Sequence, residues 1–105
     1  MLDKERQERI RDLIESLSYY EGDCMLYTAH VDRNGYGVLP LSYLDRDCRE
    51  LFQEMGCKAY TGAHRAMFIA NGGIITKEKP HVLHCCNNHN CCNPDHLVAG
   101  YVQRD

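Results

Sequence analysis

The amino-acid sequence predicts a small α+β domain: an N-terminal helix, a β-hairpin, two further helices, and a C-terminal pair of strands stapled by metal. Three observations carry this. Apolar residues recur at i, i+3 and i+4 spacing in separate stretches, as helices require. Short runs bounded by glycine, asparagine and proline lie between and after them, as strands require. Near the C-terminus, HCCNNHNCCNPDH at 84–96 gathers four of the seven cysteines and three of the six histidines. A chain of 105 residues makes one domain. It falls below the size at which an apolar core alone gives a wide stability margin, so a staple is expected.

Taken in order, Asp3 to Tyr20 places Ile10, Leu13, Ile14 and Leu17 on one helical face, and Gly22 ends the helix. CMLYTA at 24–29 and VLPLS at 38–42 read as two strands joined through the turn residues DRNGYG at 32–37, with Pro40 on an edge. Leu44 to Met55 reads as a second amphipathic helix stopped at Gly56. TGAHRAMFIA at 61–70 reads as a third, largely apolar helix, with Thr61 as its N-cap and Asn71-Gly72-Gly73 as its stop. HVLHC and HLVAG flank the cysteine-rich loop as short strands. With no repeat or linker to divide it, the chain reads as an N-terminal helix over 1–21 and a domain over 22–105.

Composition excludes several classes. A hydrophobic share of 44% without a long apolar run argues against a membrane span. The N-terminus is charged from Asp3 onward and does not form the apolar core of a secretory signal. A cytoplasmic, reducing setting is therefore expected. There, an odd count of seven cysteines points to metal ligands and free thiols, not to a disulfide framework. The net charge of −3 counts against a general nucleic-acid binder. That deficit lies within residues 1–23, which carry four Lys/Arg against seven Asp/Glu. Between Cys57 and His84, Lys58, Arg65, Lys77 and Lys79 outnumber Glu78, a local excess that could face phosphates.

In the 84–96 loop, Cys86, Cys91 and His96 supply two thiolates and an imidazole, three ligands of a tetrahedral site. Zinc is the metal this mixture of soft sulfur and imidazole favours. The fourth ligand is either His84 nearby or one of the distant thiols Cys24, Cys48 and Cys57. With His84 the loop would be a closed zinc knot and the function would stay open. Cys85 and Cys92 alternate away from the ligands and read as packing thiols; a second zinc site would have to join them with His89, Cys48 or Cys57. His64 reads as a core-orienting residue, while His30, His81 and His89 carry no assigned role.

The stretch HVLHCCNNHNCCNPDHLVAG resembles the zinc-binding loop of the His-Me finger endonucleases, the ββα-metal or HNH superfamily. The resemblance is to the branch of zinc-bound homing endonucleases and phage HNH proteins. That branch shows a histidine, one residue, Cys-Asp-Asn, a second cysteine, then Asn-Pro-Asp/Glu-His-Leu and a glycine. Gly22 to Cys24, the Gly35-Tyr36-Gly37 turn and Ala63-His64-Arg65 match weaker upstream features, so the resemblance covers roughly Gly22 to Asp105.

This resemblance implies Cys24 as the long-range ligand joining Cys86, Cys91 and His96 on a structural zinc, which frees His84. It implies His84 as the general base that activates water against a phosphodiester of double-stranded DNA, with magnesium or manganese holding the leaving oxygen. A backbone carbonyl or an amide such as Asn87 or Asn93 would orient the far ring nitrogen of His84. A second copy of the chain is a candidate partner.

Two departures from the pattern stand out. The position that binds the catalytic cation in the family is an asparagine; here it is Asp105, the last residue given, a good oxygen ligand for a hard cation. The residues after Gly100 make barely one helical turn, so either Asp105 binds without a full closing helix, or the chain is a fragment, or cation binding is lost. The second departure is Val38, which follows the Gly-Tyr-Gly turn where some relatives have an arginine; Arg65 and Arg33 are the substitutes.

Two readings follow. One is a metal-dependent endonuclease with His84 and Arg65 at the reaction. It would meet DNA through the 24–42 hairpin, bearing Arg33 and Tyr36, and through Arg65, Lys77 and Lys79. The other is a non-catalytic zinc module that binds DNA or a partner protein.

Overall fold

The computed structural model describes residues 3–74, 81–84, 86 and 88–100. Helix α1 spans Lys4–Ser16, capped by Asp3, whose side chain accepts a hydrogen bond from the Arg6 N–H at 2.9 Å. The sequence predicts this helix to run on to Tyr20, but it stops at Ser16. The hydroxyls of Ser16 and Ser18 take the last-turn carbonyls of Leu13 and Ile14, each at 2.6 Å. Tyr19 and Tyr20 then follow their β-propensity into strand β1, Ser18–Glu21, opposite β2, Cys24–Tyr27. The turn between them is the two-residue loop Gly22-Asp23, with Gly22 at φ +60° in the left-handed region that favours glycine.

The predicted hairpin therefore exists with a different partner. Instead of pairing with 38–42, β2 pairs with β1 on one edge, and on the other it meets the cysteine-rich loop through a Leu26–Cys91 bridge. With both edges occupied, β2 leaves strand β3, Val38–Pro40, to pair with β4, Tyr60–Gly62. Between β2 and β3 the chain forms a loop closed by the Val31–Gly37 bridge. Asp32 organises it, its Oδ1 accepting from the Asn34 and Tyr36 N–H groups at 2.8 and 3.0 Å. Gly37 has a packing reason: an added Cβ would lie 2.8 Å from the Tyr27 ring and 3.2 Å from Ala63 Cβ.

A 3-10 turn, Leu41–Tyr43, leads into helix α2, Arg46–Glu54, shorter than the predicted 44–55 because Asp45 caps it. Asp45 accepts from the Cys48 N–H at 3.0 Å and pairs with Arg9 of α1. Its carboxyl is held below the usual carboxylate range, first by the backbone hydrogen bond from Cys48. Asp45→Ala is expected to remove about 1 kcal/mol of stability at neutral pH, the ordinary worth of an N-cap. Because the folded-state pKa is lowered, this contribution is present above the unfolded carboxylate pKa and disappears as pH falls through the folded one. Thermal melts of the two proteins should therefore differ at pH 7 and converge in acid.

Helix α3, Ala63–Ala70, begins one residue later than a Thr61 cap predicts. Gly62 occupies the cap position without a side-chain hydrogen bond, while Thr61 lies buried in β4. The apolar faces of α1 and α3 pack together: Ile10, Ile14, Ala63, Ala66, Met67 and Ala70 join Tyr27, Leu39 and Phe52 in the main core. Strands β5, His81–His84, and β6, Leu97–Gly100, pair antiparallel as predicted, with His84 opposite Leu97. The architecture is the predicted α+β class: three helices and three antiparallel strand pairs among the described residues. Among those residues no helix is long and apolar enough to cross a membrane.

Candidate functional site

The cysteine-rich loop is fastened to β2 along its length. Tyr27 N–H donates to the Asn90 carbonyl at 2.9 Å, Cys92 N–H to the Met25 carbonyl at 2.7 Å, and Asn90 Nδ2 to the Tyr27 carbonyl at 3.1 Å. The Asn93 side chain reaches the Asp23 carbonyl and also accepts from the Asp95 N–H, fixing the Pro94–His96 turn that presents His96. These backbone pairings carry Cys24, the first residue of β2, to the loop.

The result is a second, small buried cluster apart from the main core, made of Cys24, Leu26 and Cys91 with Cys86 against them. The sulfurs of Cys24, Cys86 and Cys91 and a ring nitrogen of His96 all lie within 4.8 Å of one another, an arrangement that could hold a metal ion. His96 Nδ1 is 3.7 Å from Cys24 Sγ and 3.5 Å from Cys91 Sγ. Of the three distant thiols left open by sequence, Cys24 is the one brought here. Cys48 projects from α2 into the main core, where burial pushes its thiol up to about 11, and Cys57 packs against the same core. Cys92 points away from the cluster into that core, and burial pushes its thiol up to about 12. No second group of metal-ligating side chains gathers among the described residues. Cys85 and Asn87 lie outside them.

His84 sits at the end of β5, two residues before Cys86, and does not join the sulfurs. Its Nε2 is 3.1 Å from the Cys91 carbonyl, which can only accept, so Nε2 carries the proton and Nδ1 carries a lone pair. The orienting group is thus this backbone carbonyl, while Asn93 serves the neighbouring turn. Burial lowers the His84 pKa; the bond to Cys91 acts the other way and His89 adds to the lowering.

Around His84 the fold assembles a group of rings that spacing alone does not reveal. His64, on the first turn of α3, has its ring centroid 4.6 Å from that of His84. Tyr36 lies 6.0 Å from His84 and stacks on His89 at 4.4 Å with planes 3° apart. His89 Nδ1 bonds the Asn34 carbonyl at 2.9 Å, tying the metal-ligand loop to the 32–37 turn. Tyr36 therefore faces the histidines, whereas Arg33 is exposed on the turn. Arg65 is half-buried beside His64, where its charge is felt. The sequence signal for this assembly is faint: Tyr36 and His64 stand in short upstream motifs, and His89 lies in the cysteine-rich stretch without an assigned role. Lys77, Lys79 and Asp105 lie outside the described residues.

The His64 pKa is pushed down to about 4, mainly by burial and then by the nearby charges of His84 and Arg65. A histidine whose folded pKa is depressed binds its proton in the unfolded state first. The protein should therefore lose stability as pH falls from the ordinary histidine value toward 4. The full shift corresponds to about 3 kcal/mol at one site. His64→Phe should flatten this part of the stability profile, as measured by denaturant unfolding between pH 7 and 4.5; equal slopes in the two proteins would refute the assignment.

Searches of protein-family models, curated proteins and solved structures find no match to this chain.

Proposed function

We propose that the protein is a metal-dependent DNA endonuclease of the His-Me finger type, with structural zinc on Cys24, Cys86, Cys91 and His96 and with His84 as general base. The observation that carries this is the pairing of two features on one loop: a closed set of three thiolates and an imidazole, and a neutral, oriented histidine beside it that is not part of the set. Zinc suits the donors. Its bonds to sulfur near 2.3 Å and to nitrogen near 2.0–2.1 Å place a tetrahedral sulfur–nitrogen pair roughly 3.6 Å apart. The separations from His96 Nδ1 to Cys24 and Cys91, 3.7 and 3.5 Å, agree with that.

In this reading the lone pair on His84 Nδ1 takes the proton of the attacking water, and the Cys91 carbonyl stabilises the charge then formed on the ring through Nε2–H. Burial of His84 keeps it neutral, and so ready as a base, at pH 7. His64 and Tyr36 wall the ring and limit its rotation. Magnesium or manganese would supply Lewis-acid stabilisation of the leaving oxygen, with Asp105 as its proposed ligand. Arg65, Arg33, Lys77 and Lys79 are the proposed phosphate contacts, and double-stranded DNA the substrate.

The second reading is a zinc-stapled module without catalysis. It is favoured by the net charge of −3, which counts against a general nucleic-acid binder. Supercoiled plasmid incubated with the purified protein decides between them. Conversion to nicked circles that requires added Mg²⁺ or Mn²⁺ supports the nuclease, and intact plasmid with one zinc bound per chain supports the module.

A further inference from the structure

The three thiolates of the proposed zinc centre outweigh the dication and leave one unit of negative charge, which neighbouring N–H donors must offset. One such donor is the side chain of Asn88. Asn88 Nδ2 lies 3.2 Å from Cys24 Sγ, spanning 64 positions of sequence. Cys24 is the ligand contributed from outside the loop, so this bond ties the distant ligand to the loop that carries the other three.

We propose that Asn88 is a positioning residue of the metal centre, whose side-chain N–H holds the Cys24 thiolate in the ligand set and thereby sets how tightly zinc is retained. This rests on the structural-zinc reading above and is independent of nuclease activity. Hydrogen bonds to an anionic acceptor are roughly twice as strong as neutral ones, so a single N–H···S contact can shift the balance at a ligand that has to be recruited across the fold. Asn88 itself is exposed. Replacing its side chain therefore removes the hydrogen bond without opening the core.

The experiment compares wild type, Asn88→Ala and Asn88→Asp by zinc competition against a chromophoric chelator, and by cobalt substitution read in the sulfur-to-cobalt charge-transfer bands. Outer-shell partners of metal ligands typically govern affinity by 10–100-fold. Asn88→Ala should weaken zinc binding about tenfold, and Asn88→Asp by about a hundredfold, since it places a carboxylate against the thiolate in the same space. The cobalt charge-transfer band should move to lower energy in Asn88→Ala, because a sulfur stripped of its donor gives up electron density more readily. Unchanged affinity and spectra in both variants overturn the proposal. So does an equal loss in the two variants with an unmoved band, which would mark Asn88 as a loop-packing residue only. A wild-type protein that takes up neither zinc nor cobalt overturns the proposal together with the zinc centre. No DNA enters the measurement, so failure here and failure of the nuclease reading are separate results.

Discussion

Cys91→Ser is expected to unfold the C-terminal half of the protein, while Cys92→Ala, one residue away, is expected to leave it folded and metal-bound. Both side chains are fully buried, so burial does not distinguish them. Their surroundings do: Cys91 lies in the small cluster with Cys24, Leu26 and Cys86, and Cys92 lies in the main apolar core. Structural zinc sites contribute about 10–16 kcal/mol of apparent binding free energy. That equals or exceeds the total stability of roughly 5–15 kcal/mol usual for a domain. Losing one thiolate ligand removes most of it. Losing the Cys92 thiol removes packing only, on the order of 1 kcal/mol.

Far-ultraviolet circular dichroism, thermal melts and metal content per chain measure the difference. Excess chelator should reproduce the Cys91→Ser result in the wild-type protein. A Cys91→Ser protein that melts with the wild type would end the structural-metal reading.

His84→Ala should cost about 10²–10⁴-fold in nicking rate, the usual contribution of a positioned general base. Zinc content and melting temperature should change little, because His84 lies outside the ligand set. The pH profile gives a second check. Since burial lowers the His84 pKa, the base form persists below the ordinary histidine value, and activity should decline only as pH falls through the lowered one. Asn at this position preserves some polarity yet offers no comparable base, so His84→Asn should resemble the alanine variant. Undiminished nicking by His84→Ala would remove His84 from the mechanism and leave the zinc centre untouched.

How much could be read from the chain differs from element to element. The helices announced themselves through apolar spacing at Ile10, Leu13 and Ile14 and again at Cys48, Leu51 and Phe52. Their ends were less legible, because Ser16, Ser18 and Asp45 cut them short through hydrogen bonds that compete locally with continued helix. The Cys86, Cys91 and His96 spacing placed three ligand positions in one loop without any tertiary information. Resemblance added Cys24, and the fold places it there.

Strand partnership at β2 is not legible in the sequence. Its residues favour a strand wherever a partner edge is offered, and nothing in CMLYTA states that β1 and the 90–92 backbone will occupy both edges first. The ring cluster was hidden for the same reason. Tyr36, His64, His84 and His89 come from a turn, a helix, a strand and a loop, and they meet because Gly37 lets the turn close onto α3 and β2 docks the loop. Short-range periodicity and ligand spacing are properties of a few consecutive residues, so they survive in the bare chain. Edge occupancy, the choice of Cys24 over Cys48 and Cys57, and the orientation of His84 against the Cys91 carbonyl depend on contacts between distant segments, and packing had to settle them.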